Sequence, residues 1–470
     1  MSTEKFRREL RQEAEQWWQE GLIDAGLYER LCERYQLRSL EGDASQRFTA
    51  ILLGLGSILL GLAAITFVAA NWQVWPRPVR LALLLGLFWA VNAAGFYLWR
   101  KPASRSQRFG HGLLLMGGLL LGANLGLMSQ MFHQSGQLYA LFWVWGLGVV
   151  VMAYGLRLAS LGVLAWVLLQ LGYWLGWSNS LWGGSLSDSA WSLAIQHMPL
   201  VTALLFVPLA YRCRSRWLFW LASGTVAMSI SMNTLSLFNS SESAMGWAVP
   251  VAFLLPPALL WSYSSSLWRR ASDPFVPIAR SLALWCLGIS FSLFAFQAVW
   301  ETAKPDSVGF TNWHLVADVI VLIIVTGLGW FQIAQESRQF QSGRHFDRLL
   351  HSGTIAGMLL LAFGLLYCSF NWVTLGSLGV LASNLLLFGL AIGLIRDGLA
   401  LGSRGAFWGG MGLLVLDIIC RMLEYNTGLL LKSLVFALCG IGIIAAGIWF
   451  ERNSLSSHAS THRSTEEKPL

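Results

Sequence analysis

The chain has 470 residues, 55% of them hydrophobic and only 12% charged, with a formal net charge of +8 at pH 7. A soluble domain carries roughly 25% charged residues, and the missing charge is absent from the middle of the chain, so a water-soluble globule is excluded. The basic excess is not a nucleic-acid signal, because no basic run has the density or aromatic interleaving of such a surface; in membrane chains it marks loops on one side.

Residues 1–47 hold 18 of the 56 charged side chains. They read as a cytoplasmic amphipathic helical hairpin, with helices over 4–20 and 24–36. Phe6, Leu10, Ala14, Trp17 and Trp18 fall at helical spacing on the first, and Leu27, Leu31 and Tyr35 on the second. Gly21 suits the end of the first helix and Asp24 the N-cap of the second. Its apolar face either packs on itself or the membrane surface, or docks a soluble protein partner at residues 4–36. The first 40 residues contain no apolar core of a signal peptide, so none is expected.

Residues 48–451 read as a multi-pass transmembrane domain, because a helix of about 20 apolar residues crosses the hydrocarbon. Fourteen stretches qualify: 49–70, 79–99, 110–131, 138–156, 159–177, 198–211, 217–235, 245–267, 278–300, 314–334, 352–371, 375–395, 405–423 and 430–450. The sixth is short and carries Pro199 and Pro208. The eighth carries Pro250, Pro256 and Pro257 and is expected to kink or break where protein or water re-satisfies its backbone. With the N-terminus in the cytoplasm, 27 of 32 Lys and Arg fall on inner connections, which favours an N-in, C-in topology. Residues 452–470 read as a disordered cytoplasmic tail.

Tryptophans near span ends, such as Trp75, Trp174 and Trp177, suit interfacial anchoring. Four-residue glycine steps suit close helix contact: Gly118, Gly122 and Gly126; Gly389 and Gly393; Gly405 and Gly409. The six cysteines are scattered singly and read as small buried hydrophobes. No phosphate-binding glycine loop, zinc-protease motif or nucleophile elbow is present, so no enzyme, no metal and no cofactor is expected.

The chemistry left is the polar content of the spans, which is costly in hydrocarbon and defaults to functional candidates. Asp417, Arg421 and Glu424 share one face of span thirteen, with Asp417 and Arg421 spaced to pair. Asp318 lies one turn inside span ten. Gln130 and His133 close span three, with Asn124 deeper on it. Asn71–Trp72 and Asn371–Trp372 end spans one and eleven as a matching Asn-Trp pair, read as structural or interface residues. Most of these groups fall toward the outer face. They are read as substrate or proton pathway candidates lining an outward vestibule, set against one structural ion pair plus ordinary helix-end polar groups. The 178–197 loop holds His197 as its only histidine and Asp188 as its only acid.

The hairpin sequence WWQEGLIDAGLYERLCERYQL and the first-span sequence FVAANWQVWPRPVRLALLL resemble the bacterial predicted-membrane-protein family called domain of unknown function 2157. MSQMFHQSGQLYALFWVW is similar to a patterned Gln-aromatic-His segment of such proteins, and DIICRMLEYNTGLLLKSLVFALCGIGII to closing helices of related chains. The clearest part covers about the first 150 residues. The resemblance implies a bacterial inner-membrane protein, and brings no activity or catalytic residue with it. The fold class is therefore an all-α polytopic bundle in the lipid bilayer. Many spans, proline-broken helices and intramembrane charge favour a secondary transporter or flippase-like protein. The alternative is a non-transporting sensor or assembly factor whose hairpin binds a partner.

Overall fold

The computed structural model describes residues 4–35, most of 52–70, 75–101, 104–133, 136–181, 190–239, 246–263, 274–301, 313–339, 343–401, 403–424 and most of 428–447. Among the described residues every regular element is a helix. Ten helices are long and apolar enough to cross a membrane, and three apolar helices are shorter. Their outer faces carry large exposed side chains such as Leu204, Trp217, Leu360 and Leu385, the surface that lipid covers and water would not. The chain is an integral multi-pass membrane protein. Of the fourteen expected spans, the first is described only in part, and the sixth, eighth and fourteenth are the short ones.

The chain divides into two compact units, Met1–Gly184 and Ser185–Leu470. In the first, α1 (Glu4–Gln19) and α2 (Ala25–Arg34) form a hairpin. Gly21 turns the chain at φ 73°, which a residue without Cβ adopts freely. Asp24 Oδ1 accepts from the Leu27 amide at 2.9 Å and caps α2. Trp18 stacks on Tyr28 at 5.2 Å between ring centroids.

After partly described helical residues between 52 and 70 come α3 (Arg77–Trp99), α4 (Ser104–Met131), α5 (Leu138–Leu156) and α6 (Ala159–Leu181). α3 and α4 touch backbone to backbone at Gly110, where a Cβ would lie 2.4 Å from the Trp99 nitrogen. The Trp145 ring occupies the space over Gly122, and its Nε1 donates to the Gly118 carbonyl at 2.8 Å. That glycine step thus admits an aromatic ring from α5, while Gly126 meets no atom within 4 Å. Helix α5 ends on Arg157 in the left-handed region, φ 54°.

The second unit holds α7 (Ala190–Gln196), α8 (Met198–Cys213), α9 (Arg216–Asn239), α10 (Ala248–Ser262), α11 (Val276–Phe294), α12 (Gln297–Glu301), α13 (Trp313–Gln339), α14 (Gly343–Asn371), α15 (Gly376–Leu401), α16 (Arg404–Glu424) and α17 (Lys432–Ala445). At its centre stands α10, buried along nearly its whole length and packed by α9, α11, α13 and α14. Leu287, Phe291, Trp300, Leu366, Leu387 and Leu390 build the adjoining core.

Helix α10 does not break at its prolines. Pro256 and Pro257 lie inside it, and each lacks the N–H that would satisfy the carbonyl four residues earlier. Both freed carbonyls are met by neighbours: Ser231 Oγ on α9 donates to Ala252 O at 2.7 Å, and Ser290 Oγ on α11 donates to Phe253 O at 3.1 Å. Burial within protein is what makes the pair of prolines tolerable at membrane depth.

At the other end of these helices α8 closes on Arg214, φ 50°, with the Ser215 amide bonded back to Ala210 O at 3.1 Å. Phe219, Phe275, Tyr211 and Tyr263 cluster beside it. Helices α15 and α16 meet at Gly398 and Gly410, where a Cβ would lie 2.5 Å from Phe407 N and 2.6 Å from Ala391 O. The expected close-contact steps Gly389/Gly393 and Gly405/Gly409 are open instead. Gly393, Gly405 and Gly409 meet nothing within 4 Å, and Gly389 only a methionine methyl at 3.4 Å.

Candidate functional site

In the second unit the candidate residues separate into two groups, each at a discontinuity in a helix. The first surrounds the step between α7 and α8. His197 occupies that step, its amide bonded to Leu193 O at 2.9 Å and its carbonyl to the Val201 amide at 3.0 Å. Pro199, two residues on, cannot donate to Ile195 O. Asn233 Nδ2 on α9 covers the gap, donating to Gln196 O at 2.6 Å with Ile195 O at 3.5 Å.

Asp318, one turn into α13 and 6% exposed, faces the same step. His197 Nδ1 lies 2.8 Å from both Oδ1 and Oδ2 of Asp318, so the tautomer with its proton on Nδ1 donates to the carboxylate. A carboxylate held this way fixes the orientation of the imidazole ring. Beside the pair, Gln196, Asn233, Thr234 and Asp318 line a cavity of about 10 Å³ for the centre of a water, room for about one molecule. Sequence reading singled out Asp318 but not its partner. The signal for His197 was position: it ends the 178–197 loop next to a span, and Asp318 lies one turn inside span ten.

The second group closes the turn between α11 and α12. Arg421 donates to the Ala295 carbonyl and pairs with Glu424 at 2.5 Å. Glu424 Oε1 accepts from the Gln297 amide at 2.6 Å, and the Arg421 guanidinium lies 5.5 Å from the Phe296 ring centre. The ion pair thus satisfies the last carbonyl of one helix and the first amide of the next. The carboxylate that pairs with it at 2.5 Å is Glu424 at i+3, and Asp417, four residues before Arg421, lies within reach of its charge. Asp417 Oδ1 is buried with no hydrogen-bond partner among the described residues.

The other candidates are local. Asn124 is buried and donates from Nδ2 to Leu84 O at 3.2 Å, tying α4 to α3. Gln130 and His133 are exposed where α4 ends, His133 with φ 52°. Gln130 lines an open groove of about 530 Å³ with Leu125, Phe132 and Leu141. Asn371 donates to Tyr367 O of its own helix at 2.9 Å and fills the space over Gly246. Trp372 is exposed against Tyr367. Asn71 and Trp72 lie outside the described residues. Among the described residues no three His, Cys, Asp or Glu side chains come together as a metal site.

The hairpin from Glu15 on, Asn71–Trp72 and the α4–α5 segment lie in one stretch of sequence that a family model covers. Residues 15–162 match the family of predicted membrane proteins DUF2157. The DUF2157 segment falls inside the first compact unit and contains Asn71, Trp72, Asn124, Gln130 and His133. The His197–Asp318 and Arg421–Glu424 groups lie beyond it. No curated protein and no solved structure matches the chain.

Proposed function

We propose that this is a non-transporting component of the bacterial inner membrane, a sensor or assembly factor that engages a soluble protein partner through its N-terminal hairpin. The observation that carries the reading is the hairpin's exposed apolar ridge: Trp18, Leu22 and Leu27 are 49%, 69% and 42% exposed. Residues 4–35 carry eight acidic and six basic side chains, a balance that gains nothing from an acidic lipid surface and suits a protein surface better. The polar groups inside the second unit support the same reading, since Ser231, Ser290, Asn233, Arg421 and Glu424 are spent on backbone groups. A transport pathway needs such groups turned toward its cargo. In the proposed topology fourteen spans leave both termini in the cytoplasm, with the hairpin on the side holding 27 of 32 basic residues.

Photo-crosslinking tests this. An ultraviolet-activated side chain placed at Leu22 in living cells is expected to capture one soluble protein reproducibly, and Leu27→Asp to abolish that adduct at unchanged protein level. Adducts to lipid alone, or none, would overturn the reading. A transporter or flippase-like role is the second reading. It is favoured by the His197–Asp318 pair, a titratable couple at a helix step beside a water-sized cavity.

A further inference from the structure

We propose that the turn end of the N-terminal hairpin docks in an apolar groove rimmed by lysine and arginine on its soluble partner, an inference that rests on the partner reading above and adds the partner's chemistry. The hairpin keeps a small core of its own, with Ala14 on α1 and Cys32 on α2 buried. Tyr28 ties the two helices together, stacking on Trp18 and donating to Glu15 Oε1 at 3.4 Å. Trp18, Leu22 and Leu27 stay on the outside, at the end where α1 turns into α2. A hairpin end is convex, so its complement is a groove, as for an apolar helix face laid into one. Tryptophan is among the residues that carry most of the energy at such contacts.

Charge selects the rim of that groove. From Glu15 to Glu29 the chain holds four acidic residues and no basic one, and all three ridge residues lie within that run. The six basic residues of 4–35 come before it or after it. Glu20, Asp24 and Glu29 are exposed, and Glu15 is half-buried. Hydrogen bonds hold two of these carboxylates near the ridge: Asp24 Oδ1 accepts from the Leu27 amide at 2.9 Å, and Glu20 Oε1 accepts from Gln16 Nε2 at 2.7 Å. An apolar ridge bordered in this way is repelled by an acidic lipid surface and by the same acidic border on a second copy. A basic rim matches it, because complementary potentials steer encounter and like charges suppress wrong partners.

The test uses the full-length chain in living cells, with an ultraviolet-activated side chain at Leu22 and the captured peptide mapped by mass spectrometry. The peptide is expected to come from one soluble protein and to carry lysine or arginine beside its apolar residues. Glu20→Lys combined with Glu29→Lys should lower the adduct yield by about tenfold, the low end of what electrostatic steering supplies, and the Gln pair at the same positions should lower it less. Changing the mapped basic residues of the partner to Glu should restore the adduct of the Lys pair. Where the Lys pair lowers the protein level, the partner's Glu variant against the unmodified hairpin decides, and it should lose the adduct by the same factor. An adduct to a soluble protein whose yield these variants leave unchanged, or whose mapped site has no basic residue, would overturn the basic groove and leave the partner reading standing. An adduct to another part of this chain, to a second copy or to lipid, or no adduct, would overturn both.

Discussion

The hydroxyl of Ser290 donates to the carbonyl of Phe253 at 3.1 Å, the carbonyl that Pro257 leaves without an amide four residues later. Ser231 does the same for Ala252 and Pro256 at 2.7 Å. A carbonyl so placed cannot reach water, so its alternative partner is nothing, and the neighbouring serine carries the full cost of that vacancy. Ser290→Ala should therefore lower stability by about 1–3 kcal/mol. Pro257→Ala should soften that loss, because alanine brings the missing N–H. A double-mutant cycle on unfolding in detergent measures the coupling. Strict additivity would show that Ser290 contributes only its packing.

His197 and Asp318 form the second relationship to test. His197→Ala takes the histidine away from a buried carboxylate, and Asp318→Ala leaves the imidazole without that acceptor. Each should cost about 1–3 kcal/mol. The double variant should cost less than the sum, since neither partner is then left behind. Unfolding temperatures of the four proteins read this directly. Normal stability in both single variants, joined to a growth defect, would favour the transporter reading.

Arg421 and Asp417 should behave in opposite ways. Arg421→Ala removes both the bond to Ala295 O and the partner of Glu424, and should reduce folded protein in the membrane. Asp417→Asn replaces a buried carboxylate, one of whose oxygens makes no hydrogen bond among the described residues, with a neutral amide. It should leave folded protein unchanged or raise it. Size-exclusion profiles of fluorescent fusions would show both effects.

The glycines give a prediction that needs no assumption about function. Gly398→Ala and Gly410→Ala place a methyl against backbone atoms at 2.5 and 2.6 Å, so α15 and α16 must separate, and each should destabilise by about 1–3 kcal/mol. Gly405→Ala meets no atom and should stabilise by about 0.5–1 kcal/mol through helix propensity. Thermal unfolding of the three variants separates the two kinds of glycine.

Hydropathy made the helical membrane architecture legible in the sequence, because a 20-residue apolar run has few other uses. The caps of the hairpin were legible too, at Gly21 and Asp24, since both are local. The wiring between helices was not. His197 and Asp318 are 121 residues apart, and no periodicity links them. Spacing placed Asp417 within reach of the Arg421 charge, but gave no sign that the turn between α11 and α12 supplies Ala295 O and Gln297 N, which draw Arg421 and Glu424 together. Glycine spacing also misled: a four-residue step shows where helices could approach, and only the neighbour's side chains decide where they do. Pro256 and Pro257 read as a kink or a break for the same reason, since the serines that meet the freed carbonyls lie on other helices.

Arg157 and Arg214 end their helices in the left-handed conformation, where glycine would be the less strained choice. A glycine at either position would serve the finished backbone better, so at these two turns the chain carries a cation at a backbone cost of about 1–2 kcal/mol each.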